Sequence, residues 1–381
     1  MRVLHTADWH LGRVYHGVSL LEDQAAILDQ LPALVRDCRP DAMIVAGDLY
    51  DRSVPPGDAV RLLDETLTRL ICASRIPVIV IAGNHDGADR LGFGARLLEA
   101  AGLTLRSAVS AACPPVVFRD RHGEVAFYPL PYAEPPLVRA ALGDDSLADH
   151  HRCLAAQTAR LRPALVSGRR QVAIAHAFVQ GGSVSESERP LSVGGTGAVG
   201  AEAFAGFHYV ALGHLHRPQS LEGQRLNYSG SLLKYSFSEV DHRKSLSLVD
   251  LDGHGGITLE RIALTPRRDL RMVGGTLAEI LAAAAADPHR DDYILARLDD
   301  PGALLDAMGK LRAAYPNALA IERPQLAAGR GVAPGQGDHR QIATATLFAD
   351  FYREMTGSGL SAEASAVLAT EIEQGDREPP P

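Results

Sequence analysis

Five short apolar runs in this chain end the same way, in Asp, Asn or His. The clearest is Pro77–Gly87, PVIVIAGNHDG, where Val78 to Ala82 run into Gly83, Asn84, His85 and Asp86. An unbroken β-branched run reads as a strand buried on both faces of a parallel sheet. Glycine lets the backbone turn sharply at the strand's end. The polar residues then stand where open α/β sheets place their ligands. Arg2–Ala7 delivers Asp8-Trp9-His10 in this way, and AMIVA after Asp41 delivers Gly47-Asp48-Leu49-Tyr50-Asp51. Gln171–Ala175 ends in His176, and Tyr209–Leu212 in Gly213-His214-Leu215-His216. Between the first three runs, Leu20–Cys38 has helical spacing (Leu21, Ala25, Leu28, Leu31, Leu34, Val35), and Asp58 is placed to cap a helix reaching Cys72. Two strand–helix–strand units predict a parallel sheet with right-handed crossovers.

Further on, residues 91–100 read as helical. Pro115–Arg119 and Val125–Leu130 read as short strands at one edge of the sheet. Residues 133–170 are helical and rich in Ala and Arg (Arg152, Arg160, Arg162, Arg169, Arg170), either as a solvated face or as one that tracks phosphates. The Gly- and Ser-rich stretch Gln180–Gly200 predicts a mobile loop beside the strand ends. Arg225–Tyr228, Ser245–Leu251 and Ile257–Leu264 read as hairpin-like strands. Strands on both sides of the central units predict two sheets in a sandwich.

Thr265–Arg271 reads as a boundary. A small α/β unit follows, with helices over Leu277–Ala285 and Ala303–Tyr315 and strands over Tyr293–Leu298 and Leu319–Arg323. Gly329–Gly337 reads as a linker. His339–Gln374 carries two amphipathic helices split by TGSG; they pack on their own domain or fill a partner's groove.

Composition narrows the class. The chain has 381 residues, 46% hydrophobic and 22% charged, as in a soluble globular protein. Its net charge of −8 is not the signature of a protein held to nucleic acid by bulk electrostatics; binding of that kind would need local basic patches, metal ions or a basic partner. The four cysteines form no CxxC pair, which argues against a thiolate metal site. The first residues lack a signal peptide's apolar stretch, and no run suggests a membrane span. A reducing cytoplasm fits best.

The chemistry lies in the order of the motifs: DxH, GDxxD, GNHD, a lone strand-end His and GHxH. They supply Asp8, His10, Asp48, Asn84, His176, His214 and His216, enough for two cations sharing Asp48. Two dications with two carboxylates leave a charge of about +2, a centre that attracts a phosphoester. It would also generate hydroxide and stabilise the attacking and leaving oxygens. Imidazole and oxygen donors without sulfur suit Mn, Fe or Zn better than Cu(I), Ca or Mg. His85 projects beside the metals, where it can protonate a leaving alkoxide or contact a phosphate oxygen. Asp51 is placed to orient it, and Asp86 competes for that role. Trp9, the only Trp, either stacks on a base or packs behind the loop.

These motifs resemble the calcineurin-like metallophosphoesterases. More narrowly, LHTADWHLG at 4–12, VAGDLYDRSVPP at 45–56, AGNHD at 82–86, ALGHLHRPQ at 211–219 and NYSGSLLKYSFSE at 227–239 resemble the nuclease-subunit family of the bacterial SbcCD complexes. The resemblance implies a four-layer α/β/β/α sandwich over 1–265, a small α/β capping domain over 266–328 and a flexible linker over 329–338. Helices over 339–375 would bind the coiled-coil base of SbcC, an SMC-like ATPase, and 376–381 would be a disordered tail. One Mn²⁺ would lie on Asp8, His10, Asp48 and His216, the other on Asp48, Asn84, His176 and His214, with Fe²⁺ or Zn²⁺ as alternatives and His85 as the catalytic histidine. The family works on DNA as a homodimer within a heterotetramer, as exonuclease on duplex ends and endonuclease on hairpins and single strands. Asp51 stands where the archaeal and eukaryotic branch has a histidine. No Walker A pattern is present, so ATP use would belong to the partner. Two other readings compete: a small-substrate phosphomonoesterase or cyclic-nucleotide phosphodiesterase, and a scaffold that tethers the ATPase to DNA.

Overall fold

Ala42–Ala46 and Val78–Ile81 are apolar at every position, and every one of these residues is buried. Such strands are stable only inside a sheet covered on both sides. In the computed structural model they lie at the centre of one. The structure describes residues 1–162, 165, 168–191, 197–302, 304–324, 348–349, 352–353 and 358–375. The linker expected at 329–338, the tail at 376–381 and nearly all of the first C-terminal helix lie outside the described residues. The chain divides into two units, Met1–Asp269 and Leu270–Pro381.

In the first unit, β1 (Arg2–Thr6) leads to a small ribbon, β2 (Val14–Tyr15) with β3 (Val18–Ser19), and to helices α1 (Leu21–Leu28) and α2 (Leu31–Cys38). The single helix expected over Leu20–Cys38 is thus two, divided at Asp29-Gln30 just before Pro32, which sits in the first turn of α2. β4 (Ala42–Ala46), α3 (Gly57–Thr68) and β5 (Val78–Ile81) follow. Pro56, not Asp58, is the capping residue of α3, and Asp58 lies inside its first turn. The helix expected over 91–100 is two short ones, α4 (Ala88–Leu91) and α5 (Ala95–Leu98), interrupted where Gly94 turns to φ 72°. Next come β6 (Leu103–Arg106), β7 (Val116–Asp120), β8 (Gly123–Leu130), α6 (Pro135–Leu142) and α7 (His150–Leu161). β9 (Arg170–His176), β10 (Tyr209–Gly213), β11 (Gln219–Leu221), β12 (Leu226–Tyr228), β13 (Ser245–Leu251) and β14 (Ile257–Ala263) complete the unit.

These strands form two six-stranded mixed sheets, ordered β14-β13-β1-β4-β5-β6 and β11-β12-β10-β9-β8-β7. The first is parallel from β1 to β6, with β13 and β14 added antiparallel. The second is parallel across β8, β9, β10 and β12, with antiparallel edges. The two segments expected at one sheet edge, β7 and β8, pair with each other at one side of the second sheet, with β7 as its edge strand, while β6 ends the first sheet.

Alternation along the strands packs the sheets face to face. Val3, Ile44, Ala46, Ile79 and Ile81 meet Phe127, Val172, Ile174 and Ala211 in one core. Tyr128, Ala173, Ala175, Val210 and Leu212 face the other way and pack with Leu154 and Leu161 of α7. Arg170, expected on a helix face, instead begins β9 and is buried. Its guanidinium donates to both oxygens of Asp120, at 2.8 and 2.5 Å, and the Met1 ammonium lies 2.6 Å from the same carboxylate. Asp120 thus ties the start of β1 to the second sheet.

In the second unit, β15 (Leu270–Gly275), α8 (Leu277–Ala284), β16 (Tyr293–Leu298), α9 (Ala307–Ala314) and β17 (Ala318–Glu322) form a three-stranded parallel sheet with two helices. Leu277, Ile280, Ile294, Ala296, Leu311 and Tyr315 are its core. The second helix starts later than the expected Ala303 because the Asp306 side chain accepts from Gly309 N–H and caps it there. A further helix, α10 (Ala362–Gly375), follows.

The Asp120 tie generates a prediction. The Arg170 hydrogen bonds hold its carboxyl well below the ordinary range. A depressed folded-state value stabilises the fold above about pH 4 and is lost as pH falls through the native value. Asp120→Asn should cost about 3 kcal/mol at pH 7, with the deficit shrinking towards pH 3, in thermal unfolding followed at both pH values. Equal unfolding temperatures for the two proteins at pH 7 would refute the tie.

Candidate metal centre

Every motif singled out in the sequence lies at the carboxyl end of a parallel strand, and the two sheets bring those ends together. Asp8 and His10 follow β1, Asp48 and Asp51 follow β4, and Asn84, His85 and Asp86 follow β5. His176 ends β9, and His214 and His216 follow β10. The first two loops are bonded to each other through Asp8 N–H to Gly47 O and His10 N–H to Asp48 O, both at 3.0 Å.

Local sterics explain the residue types beside these groups. A Cβ on Gly83 would overlap the Asp48 carboxylate, and one on Gly213 would overlap the Ala46 carbonyl and crowd the His176 ring. Glycine is what admits the side chains. Asp8, His10, Asp48 and His214 take φ of 54°, 47°, 51° and 104°, a region that non-glycine residues rarely adopt. Each costs about 1–3 kcal/mol, and such strain collects at functional sites.

The donors converge. Asp48 Oδ2 lies 3.4 Å from His176 Nε2 and 3.7 Å from His10 Nε2. Asn84 Oδ1 is 2.9 Å from His176 Nε2 and 3.3 Å from His214 Nδ1. His10 Nε2 and His216 Nε2 face each other at 3.0 Å. Asp8 accepts the His214 backbone N–H at 2.9 and 3.1 Å. Among the described residues, three groups have ligand atoms mutually within 4.8 Å: Asp8, His10 and His216; Asp8, Asp48 and His176; His10, Asp51 and His85. Asp8, Asp48, His10, His176, His214 and His216 are all buried, and Asn84 is partly buried.

Burial and the two carboxylates set the charge state of each group in this pocket. Burial, reinforced by Asp48, pushes the Asp8 carboxyl well above its ordinary value. Burial would raise Asp48 too, but His176 holds it well below. Burial opposes the charged form of His176, yet Asp48 and Asp8 lift it to about 9. His10, His214 and His216 are pushed down by burial and stay neutral, the form that binds metal. Neutral imidazoles, carboxylates and an amide oxygen aimed at one another are a donor set for divalent cations.

His85 stands beside this set, its ring edge-on to His10 with centroids 4.6 Å apart. Its Nδ1–H donates to the main-chain carbonyl of Asp51 at 2.8 Å. The expectation that the Asp51 carboxylate orients His85 is therefore corrected: the backbone of Asp51 does so. Its carboxylate instead accepts from Arg13 at 3.0 Å, whose guanidinium lies over the Tyr235 ring. Asp86 is no substitute, because its oxygens accept the N–H groups of Gly83, Leu49 and Tyr50 and staple two loops. Trp9 is fully buried and donates to Thr6 Oγ1, so it packs behind the loop. Sequence reasoning missed Arg13, Ser187, Glu188 and Glu239, which all touch this centre or its supports. The only signals were Arg13 directly after DWHLG and the acidic residues inside two serine-rich runs. The second half of the expected mobile loop includes residues 192–196, outside the described residues, while Ser187 and Glu188 are bonded to His216.

Residues 1–218 match the calcineurin-like phosphoesterase family, and residues 266–356 match a family described as type 5 capsule protein repressor C-terminal domain. The chain belongs to the calcineurin-like phosphoesterases, metal-binding hydrolases of phosphate esters. Within them it is a homologue of the SbcD nuclease subunits: it is 34% identical to the SbcD subunit of the SbcCD nuclease from Staphylococcus saprophyticus subsp. saprophyticus, over 99% of this chain and 100% of that one. A crystal structure of TT1561 from Thermus thermophilus is 14% identical, covers 68% of this chain and 98% of that chain, and gives a TM-score of 0.38, too loose to carry the fold. Among the described residues no helix is long and apolar enough to cross a membrane.

The steric role of the glycines is testable. Gly83→Ala should lower divalent-metal content, read by plasma mass spectrometry after dialysis, by 10-fold or more, about the loss typical when a ligand's support is disturbed. Gly57→Ala, at the start of α3 with only the tip of Arg61 nearby, should leave metal content unchanged. Normal metal content in the Gly83 variant would contradict the steric account.

Proposed function

We propose that this chain is the nuclease subunit of an SbcCD-type DNA repair complex, hydrolysing phosphodiester bonds at duplex ends and in hairpins or single strands. The convergence of Asp8, His10, Asp48, Asn84, His176, His214 and His216, with His85 held at its rim, carries this reading. The full-length likeness to the SbcD subunit of an SbcCD nuclease supports the choice of substrate. Asp8, His10, Asp48 and His216 would hold one Mn²⁺, and Asp48, Asn84, His176 and His214 the other, with Fe²⁺ or Zn²⁺ as alternatives. When bound, the pair supplies a nucleophile from water and charge stabilisation for both oxygens of the displacement.

The chain's own residues do the rest. The Asp51 carbonyl fixes the Nδ1–H tautomer of His85, so Nε2 is the nitrogen left to meet substrate. With the ring in its doubly protonated form, Nε2–H gives its proton to the leaving oxygen or donates to a phosphate oxygen, and after proton transfer the ring is left in the Nδ1–H form. Asp86, by stapling the loops of β4 and β5, fixes Asp48 relative to Asn84.

The finer architecture follows the same reading. Residues 1–265 would be the four-layer α/β/β/α nuclease domain, 266–328 the cap that shapes the DNA path, 329–338 the linker and 339–375 the helices that bind the base of the SbcC coiled coil, with 376–381 a tail. A cytoplasmic homodimer within a heterotetramer fits an acidic chain that need not hold DNA alone. Phe93 and Leu97, 86% and 82% exposed just after the GNHDG loop, are an apolar surface suited to a second copy. A phosphomonoesterase would need neither the second unit nor α10, and a pure scaffold would not keep the full donor set.

The test is cleavage of a labelled hairpin-ended duplex by the purified chain in Mn²⁺, against EDTA and His85→Ala. Cutting should require metal and fall by about 10²-fold or more in the variant. Metal-dependent cutting that survives the substitution would remove His85 from the chemistry. Turnover of an aryl phosphomonoester without DNA cleavage would favour the small-substrate reading.

A further inference from the structure

His216 is gripped at every polar atom except one. Its backbone N–H donates to Glu188 Oε1 at 2.6 Å, and its carbonyl accepts from Lys244 Nζ at 2.8 Å. Its Nδ1 lies 2.6 Å from Ser187 Oγ and 3.3 Å from Glu239 Oε1. The Ser187 hydroxyl in turn donates to Glu239 Oε1. Glu239 Oε2 takes Lys244 Nζ at 2.5 Å, and the ammonium also donates to Ser231 Oγ at 2.8 Å. Glu239 is fully buried, and Ser187 and Lys244 are buried. The remaining atom, Nε2, faces His10 Nε2.

Burying a Glu–Lys pair costs more than an apolar pair of like volume unless its remaining hydrogen bonds are met. Here they are met by the imidazole and backbone carbonyl of His216, by Ser187, Ser231 and Ser236, and by His242, whose Nδ1 lies 3.5 Å from Lys244 Nζ and 3.7 Å from Glu239 Oε2. We propose that Glu239 and Ser187 are positioning residues for His216: they hold its Nδ1–H, and so keep the Nε2 lone pair aimed at the Asp8–His10–His216 cluster. Lys244 keeps the Glu239 carboxylate in place and locks the His216 backbone to it. A carboxylate behind a ligating histidine fixes its tautomer and orientation.

The other histidines are held differently. His176 Nδ1 meets the Ala46 carbonyl at 2.9 Å, and His214 Nδ1 points at Asn84. Neither has a carboxylate hydrogen-bonded behind it among the described residues. The support is therefore specific to one half of the centre. It also links that half to the loop after β9, because Ser187 and Glu188 both come from that loop and Glu186 N–H bonds Ser238 Oγ, one residue from Glu239.

The inference rests on the two-cation reading, and the experiment separates the two. Mn²⁺ is titrated into metal-free protein and free Mn²⁺ is read by electron paramagnetic resonance, alongside the melting temperature of each metal-free protein. The wild type should take up two ions. Glu239→Gln should bind one ion as the wild type does and the other about 10–100-fold more weakly. Ser187→Ala, a smaller change in a loop, should act in the same direction, and Ser187→Thr, which keeps the hydroxyl, should restore affinity. Two ions bound at wild-type affinity in both Glu239→Gln and Ser187→Ala would overturn the inference. Equal weakening of both ions with a lowered melting temperature would overturn it too, by assigning the network to general stability. Fewer than two ions on the wild type would instead overturn the two-cation reading on which it stands.

Discussion

Two buried carboxylates, Asp8 and Asp48, share a pocket with four histidines, and the arrangement gathers more lone pairs than it has protons to meet them. Burial favours the neutral form of Asp8, while Asp48 stays ionised only by drawing His176 into the charged form. The other three imidazoles are held neutral by the same burial. A protein that assembles this many lone pairs away from water destabilises itself unless something positive enters. Much of the surrounding structure can be understood as the means of keeping that assembly together.

Those means are backbone ones. Four of the participating residues sit at positive φ, and Gly83 and Gly213 make room for carboxylate, carbonyl and ring atoms at contact distance. The strain is opposed by rigid neighbours: strands buried on both faces, a core shared between two sheets, and the staple of Asp86 across two loops. His85 belongs to the same logic. A carbonyl orients it, and a carbonyl cannot change charge, so its tautomer is set by the fold of the β4 loop. The Asp51 carboxylate is left free to anchor Arg13 in a chain whose overall charge is negative.

Much of this was legible in the sequence because buried parallel strands advertise themselves. AMIVA and VIVI have no polar position, and each delivers its polar residues directly at a turn. The seven candidate donors followed from that one pattern, and the second sheet from the strand-like runs that flank it. What was not legible depended on tertiary contact. The break at Asp29-Gln30 hides inside a continuous helical period. Arg170 looked like part of an arginine-rich helix but begins a strand, because Asp120, fifty positions away, accepts its guanidinium. The partner of His85 could not be found by looking for carboxylates, since the group is a peptide carbonyl. Ser187 and Lys244 lay in no motif, and Glu239 closed one without any sign of its role; only folding brings them behind His216.

The most direct test of the central claim is a crystal of the Mn²⁺-loaded protein measured at the manganese absorption edge. Two anomalous peaks about 3.5–4 Å apart are expected, bridged by Asp48, one against Asp8, His10 and His216 and the other against Asn84, His176 and His214. A single peak, or manganese bound away from Asp48, would contradict it.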